Sequence, residues 1–350
     1  MSPKTVSAAD YPSMSVLVTS YNQEQFIGDT VDSVLNQRYS GPLEIIFCDD
    51  CSTDNTFAVI KEKVERYRGP FRIVTYRCPQ NGRVAVNMNT AVSLSSGDWL
   101  LRADGDDVQH PDRCALTAET IRRHPNAAAV TGQLQMFRSG EALVPVINPP
   151  PGELLFQSVS LRDFASKTTS PSFEWWGGMM ALSRQIFDVF GPLPSACAVL
   201  DDTMFVTRAL MLGEFVTVQN GTFVYYRRHA GNISSERNQG GSLPTILRGE
   251  RSAVSYYRKG LPCHEPILAE LASFAAEHPE AEGLAAYFTN HFEELRTAAS
   301  RWDANCIARC RDAWKLHPDW PLLSRLSLAF SLLNPFCHAL HTWLHQRKTS

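Results

Sequence analysis

Short apolar runs alternate with amphipathic runs along the first part of the chain. Four runs share a high content of Val, Ile, Leu and aromatic residues: MSVLVTSY (14–21), LEIIFCDD (43–50), FRIVTY (71–76) and DWLLRAD (98–104). Hydrophobic residues recur at helical spacing between them. This pattern predicts four strands and three intervening helices. Because such alternation forms βαβ units, we expect an α/β fold in which helices flank a mostly parallel sheet with right-handed crossovers.

The pattern is less regular in the middle of the chain. Three consecutive prolines within residues 139–155 predict a loop. Residues 175–194 predict a strand followed by a helix, and residues 200–213 predict a further helix. Residues 215–234 predict two short strands joined by the hairpin dipeptide Asn220-Gly221.

The C-terminal part of the chain has a helical pattern without strand-like runs. We therefore expect one domain over residues 1–240 and a helical C-terminal region over residues 241–350. Residues 326–344 contain no Asp, Glu, Lys or Arg, and the basic sequence HQRK follows them. Asn334-Pro335 interrupts this stretch. A packed terminal helix, or a helix lying on a membrane surface, is therefore a better prediction than a membrane-spanning helix.

Composition excludes some classes of protein. The chain has 350 residues, of which 44% are hydrophobic, so it can bury a large core. Its net charge of −3 gives no global basic field, and we expect no nucleic-acid partner. The nine cysteines are scattered and odd in number, which favours a reducing compartment. No apolar signal sequence precedes the first strand, so the sequence predicts a cytoplasmic protein that could attach peripherally to the inner face of the membrane.

Polar residues follow the predicted strands at their carboxyl ends, where parallel sheets bind ligands. They are Thr19, Tyr21, Asp49, Asp50, Asp104, Asp106 and Asp107. Carboxylates this close together repel one another unless a cation or hydrogen-bond donors offset their charge. The sequence therefore predicts a ligand site lined by these acids at the carboxyl edge of the sheet.

Six stretches occur in order along residues 13–235: VLVTSYNQEQFIGDTVDSVLNQ, FCDDCSTDNT, NGRVAVNMNTAVSLSSGDWLLRADGDD, GGMMALSRQIFDVFG, DDTMFVTRALMLG and YYRRHAGNIS. Together they resemble the family-two inverting glycosyltransferases of bacterial surface-polysaccharide type, which have the Rossmann-like GT-A fold. The chain departs from the usual family pattern at Cys51, where glycine is usual, and at Gly105, where alanine or another small residue is usual.

The resemblance implies a metal-dependent enzyme of the hexosyltransferase class. It would move a sugar from a nucleotide diphosphate donor, with a UDP-sugar favoured, to a hydroxyl group. The acceptor would be a saccharide or a lipid-linked molecule in polysaccharide or glycolipid biosynthesis. Contact with a membrane would occur through the C-terminal helix.

A departing diphosphate needs a divalent cation with oxygen ligands, such as Mn²⁺ or Mg²⁺. By resemblance, Asp106 would bind the metal, Asp104 would lie near the ribose or the metal, and Asp107 would assist. His229 would be a further metal ligand, and a solvated loop histidine is the alternative.

The donor nucleotide would contact residues that follow the first three strands. By resemblance, Thr19, Tyr21 and Asp50 would contact the nucleoside, and Arg83 would reach the base or the diphosphate. Two alternatives stay open, because Thr19 could simply end a strand and Asp50 could cap the next helix.

Inversion in a single displacement requires a general base opposite the leaving group. By resemblance this base is Asp202, with Asp201 as the second choice. Both carboxylates could instead serve only to favour the start of a helix through its dipole.

The acceptor and the diphosphate would meet two further groups of residues. Trp175 and Trp176 could stack on sugar rings, and core packing explains them equally well. Arg227 and Arg228 lie in the closing motif of the family and would fold over the diphosphate.

Two other functions compete with transfer. A nucleotidylyltransferase would need a glycine-rich, basic phosphate loop after the first strand, and TSYNQEQF contains neither glycine nor Lys or Arg. A non-catalytic module that binds nucleotide sugars would tolerate loss of the acids, and Asp104, Asp106 and Asp202 are all present.

Overall fold

The computed structural model describes residues 11–166, 177–195, 197, 201–229, 232, 260 and 262–303. Within them a nine-stranded sheet is flanked by helices, in the strand order β3-β2-β1-β4-β8-β6-β9-β5, with β7 paired to β9. The strands are β1 (Met14–Ser20), β2 (Leu43–Asp49), β3 (Arg72–Arg77), β4 (Trp99–Asp104), β5 (Val108–Gln109), β6 (Ala127–Arg138), β7 (Phe156–Val159), β8 (Ala181–Ser183) and β9 (Glu214–Arg228).

The helices connect and flank these strands. They are α1 (Ile27–Leu35), α2 (Thr56–Arg66), α3 (Arg83–Ser93), α4 (Arg113–Arg123), α5 (Leu161–Ser166), α6 (Gln185–Phe190), α7 (Asp201–Leu212), α8 (262–277) and α9 (Glu282–Asp303). Short 3₁₀ turns occur at Pro151–Glu153, Gly177–Met179 and Pro279–Ala281.

The strands β3, β2, β1 and β4 form a parallel half-sheet, as the alternating pattern predicts. All seven residues of β2 are buried, and so are six of the seven in β1. Strands are buried along nearly their whole length in this way when helices cover both faces of the sheet. α3 packs on β1 and β2, while α7 packs on β6, β8 and β9. The predicted α/β class with a mostly parallel sheet is confirmed.

The predicted hairpin at Asn220-Gly221 is wrong. A hairpin reverses the chain, but both arms of β9 run parallel to β6, with Val216 opposite Val130 and Tyr226 opposite Met136. Between these pairs β9 bulges around Asn220, whose side chain accepts a hydrogen bond from Leu155 N and donates one to Glu153 O. The dipeptide therefore forms a bulge that is held by a neighbouring loop, which local sequence signals do not distinguish from a turn.

The described residues fall into two compact units. Residues up to Arg228 and Glu265–Ala285 form the first unit, and the described residues among 229–264 and from Ala286 onward belong to the second. The expected boundary at residue 240 stays a prediction. Residues 326–344 lie outside the described part of the chain, and none of the helices described here is long and apolar enough to cross a membrane.

Candidate active site

The carboxyl ends of β1, β2 and β4 are joined by backbone hydrogen bonds. Thr19 lies opposite Asp104 in the register of β1 and β4, and Gly105 N donates to Thr19 O at 3.0 Å. On the other side of β1, Asp50 N donates to Ser20 O at 2.9 Å. The fold therefore brings together three of the predicted site residues, although 85 positions separate Thr19 from Asp104 in the sequence.

The loops after β1, β2 and β3 contain strained backbone. Asn22, Cys51 and Arg83 have φ values of 51°, 60° and 63°, and they are the non-glycine residues with positive φ in the described chain. Hydrogen bonds between loops hold the first two, because Asn22 N donates to Ser52 Oγ at 2.9 Å and Thr53 N donates to Asn22 Oδ1 at 2.8 Å. Such strain concentrates at functional sites, where the surrounding structure enforces it.

Asp50 ties two of these loops together. Its carboxylate is buried and accepts hydrogen bonds from Gly82 N at 2.8 Å and Arg83 N at 2.9 Å. Burial raises the pKa of Asp50, and the two hydrogen bonds act in the opposite direction. Asp50 thus caps the start of α3. The alternative left open in the sequence analysis was that Asp50 caps the next helix in the chain, which is α2. Arg83 is the first residue of α3, so Asp50 also positions Arg83.

Among the acids after β4, Asp107 lies in an environment that disfavours its charge. Asp107 is 2% exposed, and its Oδ1 accepts a hydrogen bond from Arg227 N at 2.9 Å. Burial, followed by the charges of Asp106 and Asp104, raises the pKa of Asp107 well above its usual range. Asp104 is more exposed, and its Oδ1 lies 3.4 Å from Arg102 Nη2. The acids therefore form one electrostatically coupled cluster.

Two glycines are required by close contacts around this cluster. A Cβ atom on Gly178 would lie 2.6 Å from Asp104 Oδ2 and 3.8 Å from Asp107 Oδ2. A Cβ atom on Gly105 would lie 2.9 Å from Ser20 Cβ and would also meet Gln23 Oε1. Gly178 therefore lets the backbone approach the carboxylates, and Gly105 lets the acid-bearing loop pack against the loop that follows β1.

Thr30 is a site-forming residue that sequence reasoning missed. It is fully buried on α1, and the single proton of its hydroxyl is shared between Asp107 O at 2.7 Å and Gly105 O at 3.0 Å. It thereby fixes the backbone that carries the acids. A threonine in an amphipathic helix gives no local signal of this role.

Arg227 faces the protein interior. Its guanidinium donates to Asp29 Oδ2 at 2.6 Å and to Asp106 O at 3.0 Å. It also lies over the rings of Phe137 and Phe26, at 4.7 and 5.3 Å from their centroids. As placed, Arg227 joins α1, β9 and the acidic loop, and its predicted contact with a diphosphate stays a prediction.

α7 approaches the acid-bearing strand β4 through Phe205, in its second turn. Phe205 packs with its ring centroid 5.7 Å from the guanidinium of Arg102, the same group that pairs with Asp104. Asp202 is half-buried and lies three residues before Phe205, so both side chains share one face of the helix. Asp201 starts the same helix, and its side chain lies outside the described part.

Tyr21, Arg228 and His229 are further predicted site residues that the structure describes. Tyr21 is 44% exposed after β1, and Arg228 ends β9, where its carbonyl accepts a hydrogen bond from Ser139 N. In the second unit, His229 N donates to Asn232 Oδ1 at 2.6 Å. Trp175 and Trp176 lie outside the described residues.

Metal ligation by side chains is limited in the described part of the chain. There, no group of three or more His, Cys, Asp or Glu side chains is arranged to hold a metal ion. Any cation at the acidic cluster would therefore need ligands from a bound molecule or from water in addition to protein carboxylates.

Comparison with known proteins identifies the fold and the family. The structure of TarS from S. aureus in complex with UDP superposes with a TM-score of 0.52 at 15% sequence identity, over 94% of this chain and 83% of that one. The shared fold is GT-A.

Two relatives from Bacillus subtilis (strain 168) are named as glycosyltransferases. EpsE is 30% identical over 145 residues, which cover 40% of this chain and 51% of EpsE. TuaG, named for teichuronic acid biosynthesis, is 33% identical over 141 residues, which cover 40% of this chain and 54% of TuaG. The matched region thus spans about half the length of each relative.

Half of the chain matches a single family description. Residues 15–190 match glycosyl transferase family 2, a range that contains β1 to β4, the acidic cluster and β8. The chain belongs to glycosyl transferase family 2.

Proposed function

We propose that this chain transfers a sugar from a nucleotide diphosphate donor to an acceptor hydroxyl, with inversion at the anomeric carbon. The observation that carries the proposal is the meeting of Thr19, Asp50 and the Asp104–Asp107 loop at one edge of the sheet. Ligands of open α/β sheets bind at this edge. Family membership and the GT-A fold support the same activity.

A divalent cation fits the chemistry of the acidic cluster. Oxygen ligands suit Mn²⁺ and Mg²⁺, and the raised pKa of Asp107 reflects burial and crowding with Asp106 and Asp104. We assign Asp106 as the metal-binding residue, with Asp104 and Asp107 beside it. A bound cation supplies charge stabilisation for the departing diphosphate.

The nucleotide would occupy the loops after β1, β2 and β3. Thr19, Tyr21 and Asp50 would contact the nucleoside, and Arg83 would face the base or the diphosphate. The backbone of these loops is strained and is held by hydrogen bonds between the loops. This supports a nucleotide site that is formed before the nucleotide binds. UDP-sugars are the donors to test first, because TarS, which shares the fold, binds UDP in its crystal structure.

The general base would come from the start of α7. Asp202 is our choice and Asp201 the second choice, because Phe205, three residues after Asp202 on α7, packs on the guanidinium of Arg102, which pairs with Asp104. A carboxylate in this position would accept the proton of the acceptor hydroxyl as the new bond forms. Arg228, Trp175 and Trp176 remain proposed contacts for the diphosphate and the acceptor.

The acceptor would belong to a surface polysaccharide pathway. The name of TuaG, a relative of this chain, refers to teichuronic acid biosynthesis and supports a saccharide acceptor. A lipid-linked acceptor is the alternative. Contact with a membrane through residues 326–344 belongs to the same proposal, and binding to anionic vesicles tests it.

A screen of nucleotide sugars tests the proposal. Wild-type protein is mixed with each donor, with and without Mn²⁺, and both thermal stabilisation and release of nucleoside diphosphate are measured. Asp106→Ala should weaken metal-dependent donor binding. Asp202→Asn should retain donor binding and lose transfer, by a factor on the order of 10² to 10⁴.

The same screen separates the alternatives. Formation of a nucleotide sugar from a nucleoside triphosphate and a sugar phosphate would identify a nucleotidylyltransferase. Donor binding with neither hydrolysis nor transfer to any acceptor would identify a non-catalytic module. Equal transfer by Asp202→Asn and wild type would rule out Asp202 as the base.

A further inference from the structure

Arg113 is a buried cation that the proposed mechanism does not use. It is the first residue of α4 and is only 1% exposed. One terminal nitrogen, Nη1, donates to Gln109 Oε1, and the other, Nη2, donates to Met180 O at 3.2 Å. Its Nε has no hydrogen-bond partner among the described residues. No carboxylate in the described chain lies within ion-pair distance of it, so its charge must be offset from further away.

Titratable groups around Arg113 influence its pKa. Burial lowers the pKa of Arg113 to about 10, the charges of Cys114, Asp104 and Asp107 act in the opposite direction, and the charge of Arg102 acts in the same direction as burial. Arg113 is therefore still cationic at neutral pH. Its connection to the carboxylates beside the proposed cation site runs through Met180, which lies in the same turn as Gly178.

Arg113 also fixes the backbone that covers these carboxylates. The carbonyl of Met180 accepts a hydrogen bond from Arg113 Nη2 and a second from Arg102 N, at 2.9 Å. Met180 N in turn donates to Gly177 O at 3.1 Å, which closes the turn that contains Gly178. Gly178 is the residue whose missing side chain leaves room for Asp104 and Asp107.

From these contacts we infer that Arg113 is a positioning residue for the cation and donor site. Its planar fork holds the Gly177–Met180 turn against β4, and this turn contains Gly178, which lies against Asp104 and Asp107. It does not touch the donor, because it is enclosed by protein. Its effect on cation and nucleotide binding rests on the proposed function, whereas its effect on the Gly177–Met180 turn does not.

Hydrogen–deuterium exchange of the ligand-free protein tests the positioning directly. In Arg113→Met, the amides of Arg102 and Met180 should exchange about tenfold faster or more, while the central amides of β2 keep their protection. Arg113→Lys keeps the charge but cannot reach both Gln109 and Met180, so it should give an intermediate rate. Unchanged exchange at Arg102 and Met180 in Arg113→Met would overturn the inference.

Calorimetry of UDP binding in the presence of Mn²⁺ tests whether this positioning affects the cation and donor site. Arg113→Met should bind at least about tenfold more weakly than wild type, with partial rescue in Arg113→Lys. Glu44→Gln is the matched control, because Glu44 is a buried charged residue at the opposite end of the strands, and it should bind as wild type does. If the amides of Arg102 and Met180 exchange faster in Arg113→Met but UDP binds as tightly as to wild type, Arg113 does not position the cation and donor site.

Two further outcomes are also decisive. If wild-type protein binds no nucleotide, the proposed function fails, and the exchange data alone decide the positioning. If Arg113→Met does not fold, Arg113→Lys carries the test. In that variant, wild-type exchange and wild-type binding together would overturn the inference.

Discussion

Arg208 and Glu270 form a bidentate ion pair between α7 and α8, with 2.7 Å between Nη2 and Oε1 and 2.9 Å between Nε and Oε2. Arg208 is 1% exposed in this pair, and its Nη1 also donates to Gly191 O at 2.9 Å. The helix that carries the proposed base is thus anchored by a residue from the C-terminal part of the chain.

Loss of the Glu270 carboxylate should destabilise the protein. Glu270→Gln leaves the buried Arg208 without its counter-charge, and removal of one partner of a buried pair costs roughly 3 kcal/mol. The free energy of unfolding in urea measures this. Glu265→Gln, at an exposed position of the same helix, is the control and should change stability by less than about 0.5 kcal/mol. Equal stability of the two variants would contradict the assigned role.

Glu44 should make stability depend on pH in the acid range. Burial raises the pKa of Glu44, but hydrogen bonds from Ser15 and Ser96 and the ion pair with Arg72 outweigh it, so the pKa lies below the usual 4.5. A lowered pKa means that this stabilisation is present above the unfolded value and is lost as the pH falls through the folded value. Urea unfolding should therefore show that the difference between wild type and Glu44→Gln narrows below about pH 4.5.

An exposed glutamate provides the comparison for Glu44. Glu65→Gln should leave the pH profile of wild type unchanged, because Glu65 lies exposed on α2. If the free energy of unfolding of Glu44→Gln runs parallel to that of wild type down to about pH 3, Glu44 does not contribute to the pH dependence of stability.

Cys51→Gly should stabilise the protein by about 1 kcal/mol. Cys51 has φ of 60°, where an L-residue is strained and glycine is not. Thermal unfolding measures the change. Cys51→Ala removes the thiol but keeps the strain, so it should unfold close to wild type. A glycine variant less stable than the alanine variant would show that the loop does not strain this position.

Gly178→Ala should impair the cation and donor site more than the fold. The new methyl group would lie 2.6 Å from Asp104 Oδ2, so the carboxylate or the turn must move. We expect binding of UDP with Mn²⁺ to weaken by about tenfold or more in calorimetry. Gly152→Ala, where nothing lies within 4 Å of the added atom, is the matched control and should bind as wild type does. Similar binding by both variants would exclude close contact between Gly178 and the acids during binding.

Local sequence patterns were sufficient to predict the parallel half of the sheet. Hydrophobic spacing predicts the buried face of each element from β1 to β4 and of the helices between them. The order of the strands along the chain and the positions of their carboxyl ends follow from the same spacing. Thr19, Asp50 and Asp104 were placed at one edge on that basis, and the structure brings them there. The roles of these residues stay predictions.

The bulge in β9 is a feature that local sequence patterns do not predict. Asn220-Gly221 suits a tight turn, but whether the chain turns or continues depends on β6, which pairs with both arms, and on the loop that binds Asn220. Neither partner is adjacent in the sequence. The same limitation applies to Asp50, whose partners Gly82 and Arg83 lie on another loop.

The sequence alone determined the α/β class, the family resemblance and the edge at which the acids lie, because hydrophobic periodicity and motif order are local properties. Only the tertiary structure decided which charged residues become buried. Arginine side chains lie mostly in solvent, yet Arg113, Arg208 and Arg227 are buried. Each has a partner from a distant segment, such as Met180 for Arg113 and Glu270 for Arg208. Arg227 meets Asp29 across 198 positions of sequence. Burial of a charge depends on the position of its counter-charge in space, and no periodic pattern in the chain encodes that position.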